Sequence, residues 1–224
     1  MCISKKIVLL VMPLFLPLWG GQIGFMRAGE RRSADSVYNS TQIKLDIASP
    51  IVTSAIYQWK MQHYEIAANV QLAQRFFPTL ELGYAGGRAN RGDSIAYNGH
   101  GGFFRVGCDI NPLKKHKDSP HALLVGIRIG TAVQGMEQTA LKQTLTNQGV
   151  RADCWGEIVL GCQVEIAKVQ QTAFYMGWMG RFKFLFTRQN EYTPAADQYA
   201  IYIPGFGNRD NIGWGLNYYL GWRF

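Results

Sequence analysis

The chain has 224 residues and a formal net charge of +8, with 25 glycines, 13% aromatic residues and only 17% charged residues. That length admits one barrel or one ordinary domain. Mean hydropathy is -0.09, and after the N-terminus no apolar run reaches the length of a spanning helix, which leaves an uncleaved N-terminal anchor as the helical alternative. The basic residues are dispersed and lack a recognition motif, which argues against a nucleic-acid partner.

Residues 1–21 have the layout of a secretory signal peptide. Lys5 and Lys6 form the basic region, Ile7–Leu18 the apolar region with Pro13 and Pro17 inside it, and Trp19-Gly20-Gly21 the cleavage zone. Cleavage after Gly20 or Gly21 is expected, with Ala28 as a further option. Cys2 precedes the apolar region, so it is no lipoprotein acceptor. Removing this segment takes away two lysines and no acid, leaving a basic chain suited to anionic lipid headgroups. Residues 22–36 read as a flexible lead-in, and 37–224 as the folded domain.

Eight segments then alternate apolar and polar residues with the period of a strand. In chain order they are Gln42–Ser49, Tyr64–Ala73, Pro78–Gly86, Phe103–Ile110, His121–Val133, Trp155–Ile166, Ala173–Thr187 and Asn211–Phe224. The last is the most regular. Ile212, Trp214, Leu216, Tyr218, Leu220, Trp222 and Phe224 fall on one face, while Gly213, Gly215, Asn217, Tyr219, Gly221 and Arg223 fall on the other. A strand with one aromatic face and one polar face, ending on Phe224, fits the closing strand of a membrane barrel, with Trp214, Trp222 and Phe224 turned to lipid.

The faces opposite the apolar rows carry Lys44, Asp46, Glu65, Glu81, Arg105, Asp109, Arg128, Glu157, Glu165, Arg181, Lys183 and Arg223, interleaved with glycines 83, 107, 126, 161, 177, 213, 215 and 221. An eight-stranded barrel is only wide enough for side chains to fill it. Six acids facing six bases among small residues therefore predict a lumen packed with an ionic network and closed to ions, because these groups would be costly to bury unpaired. The same alternation could describe a soluble barrel with an apolar core and this face in water. The signal peptide and the Phe/Trp row of Ala173–Thr187 favour the membrane. Three cysteines lie beyond residue 21. Cys108 and Cys162 fall in apolar rows, and none has metal-ligand or CxxC spacing.

Connections add a second regularity. Gln74–Phe77, Asn111–Pro120 and Ala167–Gln171 are short, whereas Pro50–His63, Gly87–Gly102, Gln134–Cys154 and Arg188–Asp210 are longer, the pattern of periplasmic turns and external loops. RFFPTLELGYA (Arg75–Ala85), FFRVGCDINPLKK (Phe103–Lys115) and YIPGFG (Tyr202–Gly207) resemble a family of small outer-membrane β-barrels of Gram-negative bacteria, a domain of unknown function, over about Ile43–Phe224. The resemblance implies a barrel in the bacterial outer membrane and no assigned activity. More loosely, the chain is similar to OmpX-like and PorT-like barrels, which suggests adhesion, envelope stability or a role in secretion.

Chemistry is sparse. Some eight-stranded barrels are lipid A acylhydrolases with a His, a Ser and an acid on the lipid-facing surface. His63, His100, His116 and His121 form no His-x-Ser pair in a strand and read as residues of connections or strand ends. The basic turn Asn111–Pro120 reads as a solvated turn beside the membrane, with contact to lipid phosphates as the alternative. Asn98–Phe103 is Gly-rich but lacks the P-loop Lys. Pro50–Gln62 could lie along the membrane rim, plug the mouth or pack on the barrel. Tyr202, Pro204, Gly205 and Phe206 are the external-loop interaction candidate, with folding over the lumen as the alternative. The expectation is an eight-stranded antiparallel up-and-down transmembrane β-barrel. It is a structural or interaction protein and not an enzyme, with no cofactor and no metal. Its partners would be outer-membrane lipid, the barrel-assembly machinery through the C-terminal strand, and an envelope protein. The competing expectations are a lipid-modifying enzyme, a narrow pore and a soluble barrel binding an apolar ligand.

Overall fold

Alternation with period two makes strands that differ between their faces, and the chain closes them into an eight-stranded antiparallel barrel. The wall consists of β1 (Tyr38–Asp46), β2 (Met61–Leu72), β3 (Phe76–Arg91), β4 (Ile95–Ile110), β5 (Ala122–Ala140), β7 (Val150–Val169), β8 (Thr172–Leu185) and β11 (Ile212–Arg223). Each wall strand pairs with its neighbours in sequence, and β1 pairs with β11 to close the ring. The three-residue β6 (Gln143–Leu145) adds to the end of β5, and β9 (Tyr202–Ile203) pairs with β10 (Gly207–Asn208) in a separate hairpin. The computed structural model describes residues 38–51, 61–72, 75–91, 95–112, 121–140, 143–145, 150–170, 172–187, 202–208 and 211–224, all within one compact unit, Ser36–Phe224. The signal-peptide and lead-in expectations, His116 and most of the basic turn lie outside these residues, as does most of Pro50–Gln62.

The wall is strongly staggered. Paired residues lead once round from Lys44 through Ala67, Glu81, Arg105, Gly130, Trp155 and Leu185 to the start of β11. The circuit returns to β1 displaced by about ten residues, which tilts the strands by about 40° and leaves an interior only as wide as its side chains. Apolar positions such as Ile66, Leu80, Leu82, Phe104, Val106, Ile127, Ile129, Ile158, Leu160, Trp214 and Leu216 are exposed on the outer face. Polar and charged positions are buried inside. The described outward positions 41–47, 64–72, 76–86, 102–110, 123–133, 152–164, 174–186 and 212–222 carry no Asp, Glu, Lys or Arg. Aromatic contacts run along the outside of β8 and β11, where the Phe182 ring lies 4.3 Å from Trp214 and 4.5 Å from Phe184.

Two expected loops are largely strand. Gly87–Gly102 is a continuation of β3 and β4, paired from Gly87↔Gly99 up to Arg91↔Ile95, and much of Gln134–Cys154 belongs to β5, β6 and β7. The hydrophobic alternation fades there while the backbone ladder goes on, so the periodic signal ends before the strands do. At the opposite end β7 runs past Ile166 to Val169 after a register shift between Glu165 and Ala167, which breaks the alternation at that point. Among the described residues no helix is long and apolar enough to cross a membrane, which bears only on helices.

Interior glycines make room for large neighbours. Gly130 stands across from Trp155, and a Cβ on it would meet the indole at 2.3 Å. Gly221 stands across from Tyr175, whose ring would meet an added Cβ at 2.3 Å. In both pairs a bulky inward side chain on one strand is accommodated by a missing one on the next.

Candidate functional site: the barrel interior

Inward positions from six strands converge on an ionic cluster at mid-height. Arg105 on β4 donates to both oxygens of Glu65 on β2 at 3.1 and 3.0 Å and to Glu81 on β3 at 2.6 Å. Its Nε lies 3.3 Å from Glu157 on β7. Arg181 on β8 reaches across the lumen to Glu65 at 3.0 Å, Glu81 at 2.9 Å and Glu157 at 2.8 Å. Arg128 on β5 bridges Glu81 at 3.1 Å and Asp109 at 2.7 Å. Each guanidinium therefore faces at least two carboxylates, and these side chains are almost wholly removed from solvent. Planar forks satisfied on several edges are what a desolvated arginine requires.

Asn217 ties β11 and β1 into the cluster. Its Oδ1 accepts from Arg181 Nε at 2.5 Å, and its Nδ2 donates to Asp46 at 2.5 Å and to Glu65 at 3.4 Å. Asp46 in turn accepts from the Ala48 and Ser49 amides and from the Ser49 hydroxyl, and so anchors the turn that follows β1. Trp155 donates from its indole N–H to Glu157 at 2.7 Å. Lys44 is buried with its ammonium 4.9 Å from the centre of the Tyr219 ring.

Of the twelve charged residues expected to fill the lumen, the structure brings Glu65, Glu81, Arg105, Asp109, Arg128, Glu157 and Arg181 into one connected set, with Asp46 joined to it through Asn217 and Lys44 set over Tyr219. Lys183 stands beside it and bonds backbone carbonyls. Glu165 and Arg223 are apart, partly exposed near the short-turn end, and pair with each other at 3.4 Å. Sequence parity places Asn217 and Trp155 on the inner face and gives neither a role.

The Tyr202–Gly207 segment turns inward. Pro204, Gly205 and Phe206 are buried, so the external-loop interaction expected of them gives way to the alternative of folding over the lumen; the Tyr202 side chain lies outside the described residues. The cause is polar as well as apolar. Lys183 Nζ donates to the carbonyls of Gly205 at 2.7 Å and Phe206 at 3.0 Å, and Arg105 donates to Gly205 O at 3.4 Å. Phe206 packs edge-on against Trp155 in a cluster with Ala85, Phe103, Ala132 and Ile203. Gly205 has φ of 76°, and a Cβ on it would meet the Phe103 ring at 2.5 Å, so the turn requires glycine on both counts.

One histidine also differs from expectation. His100 lies within β4 and not in a connection, whereas His63 stands near the start of β2, half-buried, with Nε2 3.3 Å from Glu65, and His121 immediately precedes β5. Asp46, His63 and Glu65 bring ligand-type atoms within 4.8 Å of one another, a set that could hold a cation. The Asn217 amide already stands between the two carboxylates and donates to both, and Glu65 is engaged by two guanidiniums. Cys108, Cys154 and Cys162 are free thiols. Cys108 on β4 and Cys162 on β7 are separated by β5.

Residues 25–223 match a family model described as a domain of unknown function (DUF6048). The chain belongs to this family. The match takes in the whole barrel and extends into residues 25–36, ahead of the first strand. No curated protein matches the chain. Every residue of the ionic cluster and of the inward hairpin falls within the family match.

Proposed function

We propose that this protein is an outer-membrane β-barrel of Gram-negative bacteria with a closed lumen, serving as a structural or interaction component of the envelope. One observation carries the reading. The barrel has reversed polarity, with an ionic cluster inside and an uncharged aliphatic and aromatic surface outside. In water that surface would be an aggregation liability, whereas in lipid it is the expected covering. A row of about ten residues at about 3.3 Å each, tilted about 40°, rises about 25 Å, the height of a barrel's apolar band. The expected signal peptide at residues 1–21 and the likeness to OmpX-like and PorT-like barrels agree with this location. The outward aromatics of β11, Trp214 and Trp222, are the feature that barrel-assembly machinery would grip.

The ionic cluster and the hairpin bonded to Lys183 both oppose ion flow, so the interior supports neither a pore nor storage of an apolar ligand. In this reading activity resides in what the exposed ends touch, such as another envelope protein. The test is gel mobility of the outer-membrane fraction with and without boiling. A faster unboiled band that slows on boiling is expected. A soluble protein without such a shift would sink the membrane assignment.

A further inference from the structure

Within the barrel Lys183 differs from the three central arginines. Each of those meets carboxylates, whereas the Lys183 ammonium has, among the described residues, only the carbonyls of Gly205 and Phe206 as bonding partners. A buried ammonium has three donors and seeks a counter-charge. Here two donors go to neutral acceptors. Lys183 lines a cavity of about 170 Å³ together with Arg105, His63, Gly205, Phe206, Trp214 and Leu216. Glu65 is the carboxylate in this lining, and Arg105 and Arg181 hold it.

The cavity lies where the wall changes. Pairing of β1 with β11 runs from Gln42↔Arg223 to Asp46↔Tyr219, followed by a bond from Ile47 N to Tyr218 O. Above this point β11 continues, and among the described residues its Ile212–Leu216 stretch pairs with β8 alone. Trp214 and Leu216 are 77% and 68% exposed on the outer apolar face, yet they border the cavity. The cavity thus runs from a buried cation to an apolar surface.

We propose that this cavity binds a phosphate group, with the Lys183 ammonium as the anion contact. When the phosphate belongs to a lipid, the acyl chain leaves past Trp214 and Leu216. The lipid source rests on the membrane reading above; the phosphate chemistry does not. Three positions carry distinct parts of the site. Lys183 supplies the charge, Trp214 the apolar exit, and Gly205 O the bond that positions the ammonium.

The test uses the full folded chain, first in detergent with inorganic phosphate titrated by calorimetry, then in nanodiscs of phosphatidylglycerol or phosphatidylcholine with retained lipid counted by native mass spectrometry. Saturable phosphate binding is expected, weakened about tenfold or more in Lys183→Gln, a loss in line with that of one charge-assisted contact. Glutamine keeps an amide donor for the hairpin carbonyls, so a folded variant results, and its unchanged gel mobility checks this. Selective retention of phosphatidylglycerol, lost in both Lys183→Gln and Trp214→Ala while Trp214→Ala still binds phosphate, identifies the lipid headgroup as the source. Phosphate binding without selective lipid retention identifies a free anion. Absence of phosphate binding, or equal binding in wild type and Lys183→Gln, overturns the proposal. A chain that proves soluble fails the membrane reading but can still pass the phosphate titration, so the two failures are separable.

Discussion

Arg181 reaches three carboxylates from three different strands, the same three that Arg105 engages from β4. Its replacement by methionine keeps the bulk and removes the charge, leaving Glu65, Glu81 and Glu157 short of counter-charge. A stability loss of about 3–5 kcal/mol is expected, the cost of breaking a buried pair by removing one partner. The urea midpoint of the detergent-folded protein measures it, and a shift below about 1 kcal/mol would mean that water compensates the carboxylates. Gly130→Val offers a contrast. The added side chain meets the Trp155 indole, which is buried and bonded to Glu157, so overpacking should cost about 1–3 kcal/mol without changing any charge. Most of these residues were legible from inward parity alone, because strands sort side chains strictly by face. Which carboxylate meets which guanidinium was not legible. That depends on the stagger between strands, and the sequence of one strand holds no record of its neighbour's register. Lys183 illustrates the limit. It has the right parity and the right charge, yet it bonds the hairpin.

At the scale of elements, the strand cores were readable and their ends were not. Leu80, Leu82 and Tyr84 announce β3, but the pairing goes on to Arg91, where neither face is apolar any longer and pattern gives no signal. The β9–β10 hairpin was readable only as a Pro/Gly turn. Its inward direction is set by Lys183, Arg105, Phe103 and Trp155 from three wall strands, contacts that local sequence does not encode. Replacing Ile203–Phe206 by a glycine-serine stretch removes Phe206 from its seat on Trp155 together with the positioned carbonyls. Planar-bilayer recordings of the wild type should remain at baseline. The replaced variant is expected to give small or brief conductance steps, since the ionic cluster still obstructs the lumen. Large stable steps in the wild type would contradict a closed interior.

For the molecule as a whole, the β1–β11 junction decides how the barrel behaves. Its ladder spans Gln42–Asp46 on one side and Tyr219–Arg223 on the other, the shortest pairing between neighbouring wall strands. Amide exchange of the folded barrel in deuterated buffer should therefore be faster along β1 than along β4 and β5, which share sixteen paired residues. Uniform protection around the wall would show that the junction is no weaker than the rest. Across this short ladder run the bonds from Asn217 to Asp46 and from Arg181 to Glu65. The cluster is complete only when the first and last strands meet. A sheet curled most of the way round would hold its arginines beside too few carboxylates, an expensive state once water is excluded. The charges at the centre thus act as a clasp: they reward the joined ring, penalise the almost-joined one, and make closure of the wall an all-or-none event.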